Sequence, residues 1–314
     1  MPSSSVCMFT EADEYAAALQ QGPVQITVMQ RGRFAAKLCT VHLHQVWIQR
    51  LSEELPRTSH VDTECRRAFF MFRTQPGPSV IRNGIELSAT NIARLRCGHG
   101  YYLHTSGPTS HAGLSVALED ISCLGGPGVG QDLMPPKDDV NVTPLPEAMV
   151  KLQRLCASAE ELAECAPAVL AHPEAAYGFE QALIEALTEC LSGCEIREDR
   201  AALRQHSAIM RRFHRTLERY ADQPLYVPEL CREIGASERT LRTCCQEHLG
   251  MSPKHYLSLR RLHLVRRALR ESSPRDATVT EIATRYGFWQ FGRLAVEYRA
   301  LFGEMPSTTL ARSM

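Results

Sequence analysis

Apolar positions between residues 226 and 306 follow a helical period, break at a glycine, and resume, and the pattern occurs twice. The segment from Tyr226 to Ala236 aligns with that from Thr278 to Phe288. Leu230 matches Ile282 and Gly235 matches Gly287. After the second glycine one residue is added, and then Leu241 matches Leu294, Leu249 matches Phe302, Gly250 matches Gly303 and Pro253 matches Pro306. Such self-similarity marks one supersecondary unit used twice. Each copy predicts helix, glycine turn, helix. Thr278 and Glu281 form a T-x-x-E capping box that starts a helix, and Pro228 sits in a first helical turn, where its missing N–H is harmless. Gly235 and Gly287 supply the left-handed residue that ends a helix. Second helices are expected from about Ser237 and about Gln290.

In the first copy Leu241, Cys244, Cys245 and Leu249 form an inward stripe at i, i+3, i+4 and i+8. Arg239, Arg242, Thr243 and Gln246 form an outward polar stripe. Alone, that stripe would read as a solvated face. Within a doubled helix-turn-helix it reads as a base-reading face, because arginine offers paired donors to guanine and glutamine can pair with adenine. Between the copies, Ser252-Pro253 caps a further helix to about Glu271. Leu259, Leu262, Val265 and Leu269 point inward, and Arg260, Arg261, Arg266, Arg267 and Arg270 point outward. Roughly 20 residues make a rod of about 30 Å, close to the ~34 Å between successive major-groove faces. The second copy departs from the first. Gly292, Ala295 and Val296 stand where Arg239, Arg242 and Thr243 stand, and Arg299 replaces Gln246. Ala295 and Val296 can meet thymine methyls, while Arg293 and Arg299 suit phosphates, so this unit is expected mainly to anchor. Phe291 and Trp289 read as core or wedge residues.

These residues resemble the AraC/XylS family of transcription regulators over about the last hundred positions. The most specific pieces are Gly-Ala-Ser-Glu-Arg-Thr-Leu (235–241), Ser-Pro-Lys-His-Tyr (252–256) and the run from Tyr286 to Gly303. The ending Leu-Phe-Gly-Glu-Met-Pro-Ser-Thr-Thr-Leu (301–310) is similar to the branch containing the ethanolamine-utilisation operon activators. The resemblance implies an activator that binds operator or promoter DNA, works with RNA polymerase, forms a homodimer and answers to a small-molecule effector held in a preceding domain.

Upstream the period changes. From about Gln25 to Leu118 short β-prone runs alternate with turn residues: 34–42, 46–51, 68–72, 92–96, 101–103 and 113–118, broken at Pro76-Gly-Pro78, Asn83-Gly84 and Gly98. That spacing suggests a sandwich or barrel. The resemblance puts a cupin-like jelly roll there. Residues 1–10 read as loose, and Glu11–Gln21 as a short helix. Helices are expected at Val150–Cys156, Glu160–Val169 and Glu174–Cys194. In the last, Phe179, Leu183, Leu187 and Leu191 form a seam that either packs within the chain or joins two copies. Arg197–Arg200 reads as a charged linker, and Leu203–Tyr220 as the first helix of the DNA-binding domain. The expected fold class is therefore α+β in two domains. Residues 1–200 form a β-rich sensor and dimerisation domain with trailing helices. Residues 201–314 form an all-α domain with two helix-turn-helix units joined by a long helix.

Composition refines this picture. With 314 residues, 44% hydrophobic and 22% charged, the chain is an ordinary globular one. Its zero net charge hides a split: 19 basic against 11 acidic residues from Leu203 onward give +8, which leaves −8 for the rest. A basic C-terminal third is the footprint of phosphate-backbone binding. The 12 cysteines include no C-x-x-C, and Cys190 with Cys194 lacks a second pair. They read as reduced thiols of a cytoplasmic protein without a membrane span. His42-Leu-His44 has the cupin metal-binding spacing but no glutamate close behind it. Gly125–Gly130 lacks the Lys-Ser/Thr that ends a phosphate loop. No catalytic residue, cofactor or metal ligand set is expected. The competing readings are a cupin-type enzyme with an appended DNA-binding domain, and an architectural DNA binder.

Overall fold

A computed structural model describes residues 1–63, 66–121, 129–192, 195–197, 201–221 and 223–312. The N-terminal part contains β1 (Ser3–Phe9), α1 (Ala12–Ala18), β2 (Val24–Val28), β3 (Ala36–His42), β4 (Val46–Glu53), β5 (Arg57–Val61), β6 (Arg67–Arg73), β7 (Val80–Arg82), β8 (Ile85–Glu86), β9 (Ile92–Arg94), β10 (Tyr101–Thr105), β11 (Thr109–Ala117), α2 (Val129–Leu133), β12 (Val140–Thr143), α3 (Pro146–Cys165), α4 (Pro167–Ala171), α5 (Pro173–Leu191) and β13 (Glu195–Arg197). Next come α6 (Ala201–Arg219), α7 (Val227–Ile234), α8 (Glu238–Leu249), α9 (Pro253–Glu271), α10 (Val279–Arg285), α11 (Phe291–Phe302) and α12 (Pro306–Ala311).

The strands form two antiparallel sheets, ordered β1-β3-β4-β11-β6-β9-β12-β13 and β2-β5-β10-β7-β8. The apolar run at 68–72 explains how they stack. Successive strand side chains point to opposite faces. Phe70 and Phe72 join Ile48, Leu114, Leu152 and Leu187 in a core between the large sheet and α3–α5. Phe69 and Met71 join Val80, Tyr101 and Leu103 in a second core between the sheets. A strand buried on both faces reads as a continuous apolar run rather than an alternating one.

Several expectations change here. Residues 1–10 are not loose: Ser3–Phe9 pairs with β3, Ser3 opposite His42. The helices expected at 150–156 and 160–169 are one continuous helix, α3, followed by the short α4. β5 was not expected, because Arg-Thr-Ser-His-Val has no apolar alternation, yet all five residues are buried. The Phe179–Leu191 seam packs within the chain: Leu183, Leu187 and Leu191 are buried against the sheet with Phe179 beside them. Glu180 on the same helix is 1% exposed, and its carboxylate accepts from the N–H groups of Gln45 and Val46 at 2.7 and 2.9 Å. That face of α5 is therefore not available to a second copy. Arg197 ends β13, which pairs with β12, while 198–200 lie outside the described residues, as does most of the Gly125–Gly130 stretch. Asn83 and Gly84, both at positive φ (48° and 82°), turn β7 into β8 as their Asn-Gly sequence dictates.

Candidate nucleic-acid interface

The predicted caps appear at the predicted residues. Thr278 Oγ1 accepts from Glu281 N at 3.2 Å, and the Glu281 carboxylate accepts from Thr278 N at 2.8 Å. Ser237 caps α8 by accepting from Thr240 N at 3.1 Å, and Ser252 caps α9 by accepting from His255 N at 3.3 Å. Gly235 and Gly287 hold φ of 64° and 77°. Their surroundings differ. A Cβ on Gly235 would meet nothing within 4 Å, whereas one on Gly287 would lie 2.5 Å from Pro224 Cβ. Gly235→Ala is thus expected to cost only left-handed strain, about 1–2 kcal/mol. Gly287→Ala carries the same strain plus a clash with a rigid ring and is expected to cost more. Urea unfolding of the two variants checks the order, and equal losses would refute it.

α8 is fixed through Leu241, Cys244, Cys245 and Leu249, all 0% exposed. Burial pushes the Cys244 thiol up to about 11 and raises that of Cys245 further, so both stay protonated packing groups. The opposite face presents Arg239, Arg242, Thr243 and Gln246, all exposed. Thr243 Oγ1 donates to Arg239 O at 3.2 Å, leaving its methyl outward. In α11, Leu294, Tyr298 and Leu301 are buried, while Arg293, Val296 and Arg299 are exposed and Ala295 is half-buried. Arg293 donates to Glu297 at 2.8 Å, one turn on, which offsets its charge; among the described ion pairs Arg299 has none. Trp289 is not a core residue. It stands 70% exposed ahead of α11, with Phe291 at 41%.

α9 joins the two units over 19 residues, about 28 Å of helix. Its apolar side faces inward as expected. Its arginines do not all face solvent, because α1 of the N-terminal part lies across them. Arg266 forks onto Glu11 at 2.7 and 3.2 Å, Arg267 donates to Asp13 at 2.8 Å, and Arg270 donates to Glu14 at 3.1 Å. His263 Nε2 donates to Val28 O at 3.0 Å. The charge split in the sequence is partly a contact between the two parts. The N-terminal part also holds the C-terminal end of α8: Thr58 Oγ1 donates to Leu249 O at 3.3 Å, and Tyr102 packs into the helical core with Phe213 and Leu217. A glycine is required at 250, where φ is 70° and a Cβ would strike the His104 ring of β10.

His42 and His44 do not converge on one point. His42 Nε2 pairs with Gln20 at 2.7 Å, and His44 Nε2 donates to Pro173 O at 3.2 Å. Burial lowers the His42 pKa. Among the described residues a different trio of potential ligands, His60, Asp62 and His214, gathers where the two parts meet. Sequence reading missed it because His214 lies on a helix far along the chain, though His60 and Asp62 have H-x-D spacing.

The helical units match a known family. Residues 230–312 match the family described as "Helix-turn-helix domain". A solved structure described as a probable AraC family transcriptional regulator from Rhodopseudomonas palustris CGA009 is 31% identical, covering 33% of this chain and 96% of that one, with a TM-score of 0.30. Residues 230–312 form a helix-turn-helix domain. The "Probable thc operon regulatory protein" of Rhodococcus erythropolis is 42% identical over 94 residues, 30% of this chain and 28% of that protein. The "XylDLEGF operon transcriptional activator 3" of Pseudomonas putida is 39% identical over 90 residues, 29% and 27% of the two chains. The chain thus spans little more than a quarter of the length of these curated relatives. No described helix is long and apolar enough to cross a membrane.

Proposed function

We propose that the chain is a sequence-specific DNA-binding transcription regulator, an activator acting in the cytoplasm. Residues 201–314 bind double-stranded operator DNA, and residues 1–200 receive a small-molecule effector. The observation that carries this reading is the exposed row Arg239, Arg242, Thr243 and Gln246 on a helix whose other face is wholly buried. Selection of bound sequences from a random pool by the full chain tests it. The expected yield is a two-part site with centres about 10 base pairs apart, one turn of the duplex. Recovery of no preferred sequence would refute it.

The docking of the two parts supports the effector reading. The first reading helix ends on β5 and β10, and the connector lies under α1. A ligand that shifts the N-terminal part therefore bears directly on how far apart and how freely the two units sit. Work with RNA polymerase, a homodimer and kinship with ethanolamine-utilisation activators are carried by the sequence resemblance. A homodimer would have to use a surface other than the buried seam of α5, and sedimentation of the full chain tests for it.

The two units are proposed to divide the labour. Arg293, Ala295, Val296 and Arg299 offer the second groove less hydrogen-bonding capacity than α8 offers the first, so α11 mainly anchors on phosphates. Arg299→Ala is expected to weaken cognate and scrambled DNA alike and to lower the magnitude of the log–log salt slope by about one unit. A salt titration on both duplexes reads this. If base changes in the second half-site cost as much as those in the first, the asymmetry fails.

A further inference from the structure

We propose that His60, Asp62 and His214 form a binding site for a divalent transition-metal ion of the zinc type, bridging the β-rich part to the first helix of the DNA-binding part. His60 lies on β5, Asp62 just beyond that strand, and His214 on α6. Their potential ligand atoms all fall within 4.8 Å of one another. His60 Nδ1 is 3.8 Å from one Asp62 oxygen, and His214 Nε2 is 3.9 Å from the other.

A second observation points to a ligand. His60 and His214 are only 5% and 4% exposed; His60 Nδ1 and His214 Nε2 are both buried and make no hydrogen bond, the latter standing 3.2 Å from a Glu218 oxygen. A buried polar group without a hydrogen bond is destabilising, and here two face the same carboxylate. A cation accepts both lone pairs together.

The surroundings suit coordination. Tyr102 Oη lies 3.4 Å from His214 Nδ1, a partner that leaves Nε2 as the ligating atom. Gly100 forms one wall: a Cβ there would lie 2.5 Å from His60 Cε1 and 2.6 Å from Asp62 Oδ1. Glu218, one turn beyond His214, places an oxygen 3.2 Å from Nε2 and can serve as a fourth ligand. Two imidazoles with carboxylate oxygens suit zinc better than magnesium or calcium, which prefer all-oxygen sets. Ligands bound at about 2.0–2.2 Å require these atoms to draw closer than they now stand. The stacked rings, 3.2 Å between centroids and 17° between planes, must turn about their Cβ–Cγ bonds. The Asp62 and Glu218 side chains, 43% and 45% exposed, have room to follow. Once bound, the ion would fasten α6 to β5 and stiffen the junction through which the N-terminal part supports α8.

The test uses the full chain stripped with a chelator, titrated with Zn²⁺ by calorimetry and with Co²⁺ by visible absorption. The expected result is one saturable site with tetrahedral cobalt colour. Asp62→Asn and His214→Gln should each weaken Zn²⁺ binding about tenfold or more, while His42→Gln leaves it unchanged. If His214→Gln does not fold, Asp62→Asn decides, since its side chain is part exposed. No saturable site in the parent chain, or undiminished affinity in Asp62→Asn, overturns the proposal. The readout is the metal itself, so failure of the DNA-binding reading would leave the result standing.

Discussion

Replacing Arg242 by alanine is expected to weaken binding to the cognate site by about 1–3 kcal/mol, roughly 5- to 150-fold, and to relax the preference at one base pair. Arg242 is exposed at the middle of α8, one turn beyond Arg239 and one turn before Gln246. It takes part in none of the described ion pairs, so nothing on the protein must be broken before it meets a base. Its removal should leave stability nearly unchanged, because the helix is held by the four buried residues on the other face. Parallel titration of cognate and random duplexes distinguishes the two kinds of contact. A base reader loses affinity on the cognate site and little on random DNA. An equal loss on both would make Arg242 a phosphate contact and remove the main support for sequence reading by α8.

The largest expected effect on stability lies far from the DNA face, inside the β-rich part. Glu53 and Arg57 form a paired unit between β4 and β5, with side chains 0% and 3% exposed. The guanidinium donates through Nε and through Nη2, the latter at 2.7 Å, and Tyr15 Oη donates to the same carboxylate at 2.7 Å. Glu53→Ala would strand a buried cation and is expected to cost about 3–5 kcal/mol. Replacing both partners together, Glu53→Leu with Arg57→Met, removes the stranded charge and should restore most of the loss. Urea unfolding followed by the fluorescence of Trp47, on β4, reads both variants. A double variant as unstable as the single one would show that the pair contributes more than the avoidance of a buried lone charge.

The same unit gives a pH dependence. Burial alone would raise the Glu53 pKa, but the Arg57 charge and its hydrogen bonds outweigh that and hold it below the ordinary 4.5. The folded state then binds its proton less readily than the unfolded chain. The contribution of Glu53 is complete above the ordinary carboxylate range and drains away as pH falls through the lowered value. Glu53→Ala should therefore flatten the acid limb of the stability profile.

The helix-turn-helix domain was legible because its signals are local. Capping boxes, an N1 proline, glycines at left-handed positions and a period of 3.6 each act within one or two turns, so 226–306 could be read residue by residue. The buried and exposed faces of α8 followed from that period alone. In the β-rich part the signal weakened where burial was two-sided or polar. β5 carries buried Arg57, Ser59 and His60, whose partners come from β4, β10 and α6. Glu53 is only four positions from Arg57, but no local pattern encodes the partners on β10 and α6, and the strand is not legible. β1 is not legible because its Ser-Ser-Ser start shows no apolar alternation, although its exposure does alternate once pairing with β3 orders it.

The sequence by itself determined the tandem helix-turn-helix, the length of its connector, the side of α8 that faces outward and the unequal charge of the two parts. Tertiary structure alone decided what that charge does and which surfaces remain free. It brought Glu11, Asp13 and Glu14 onto Arg266, Arg267 and Arg270, more than 250 positions away, and consumed the seam of α5 within the chain. It also set His60 against His214. The division has a physical cause. Helix caps and faces depend on backbone groups a few residues apart, whereas the pairing of a charge or an imidazole depends on which surfaces meet once the hydrophobic cores have closed.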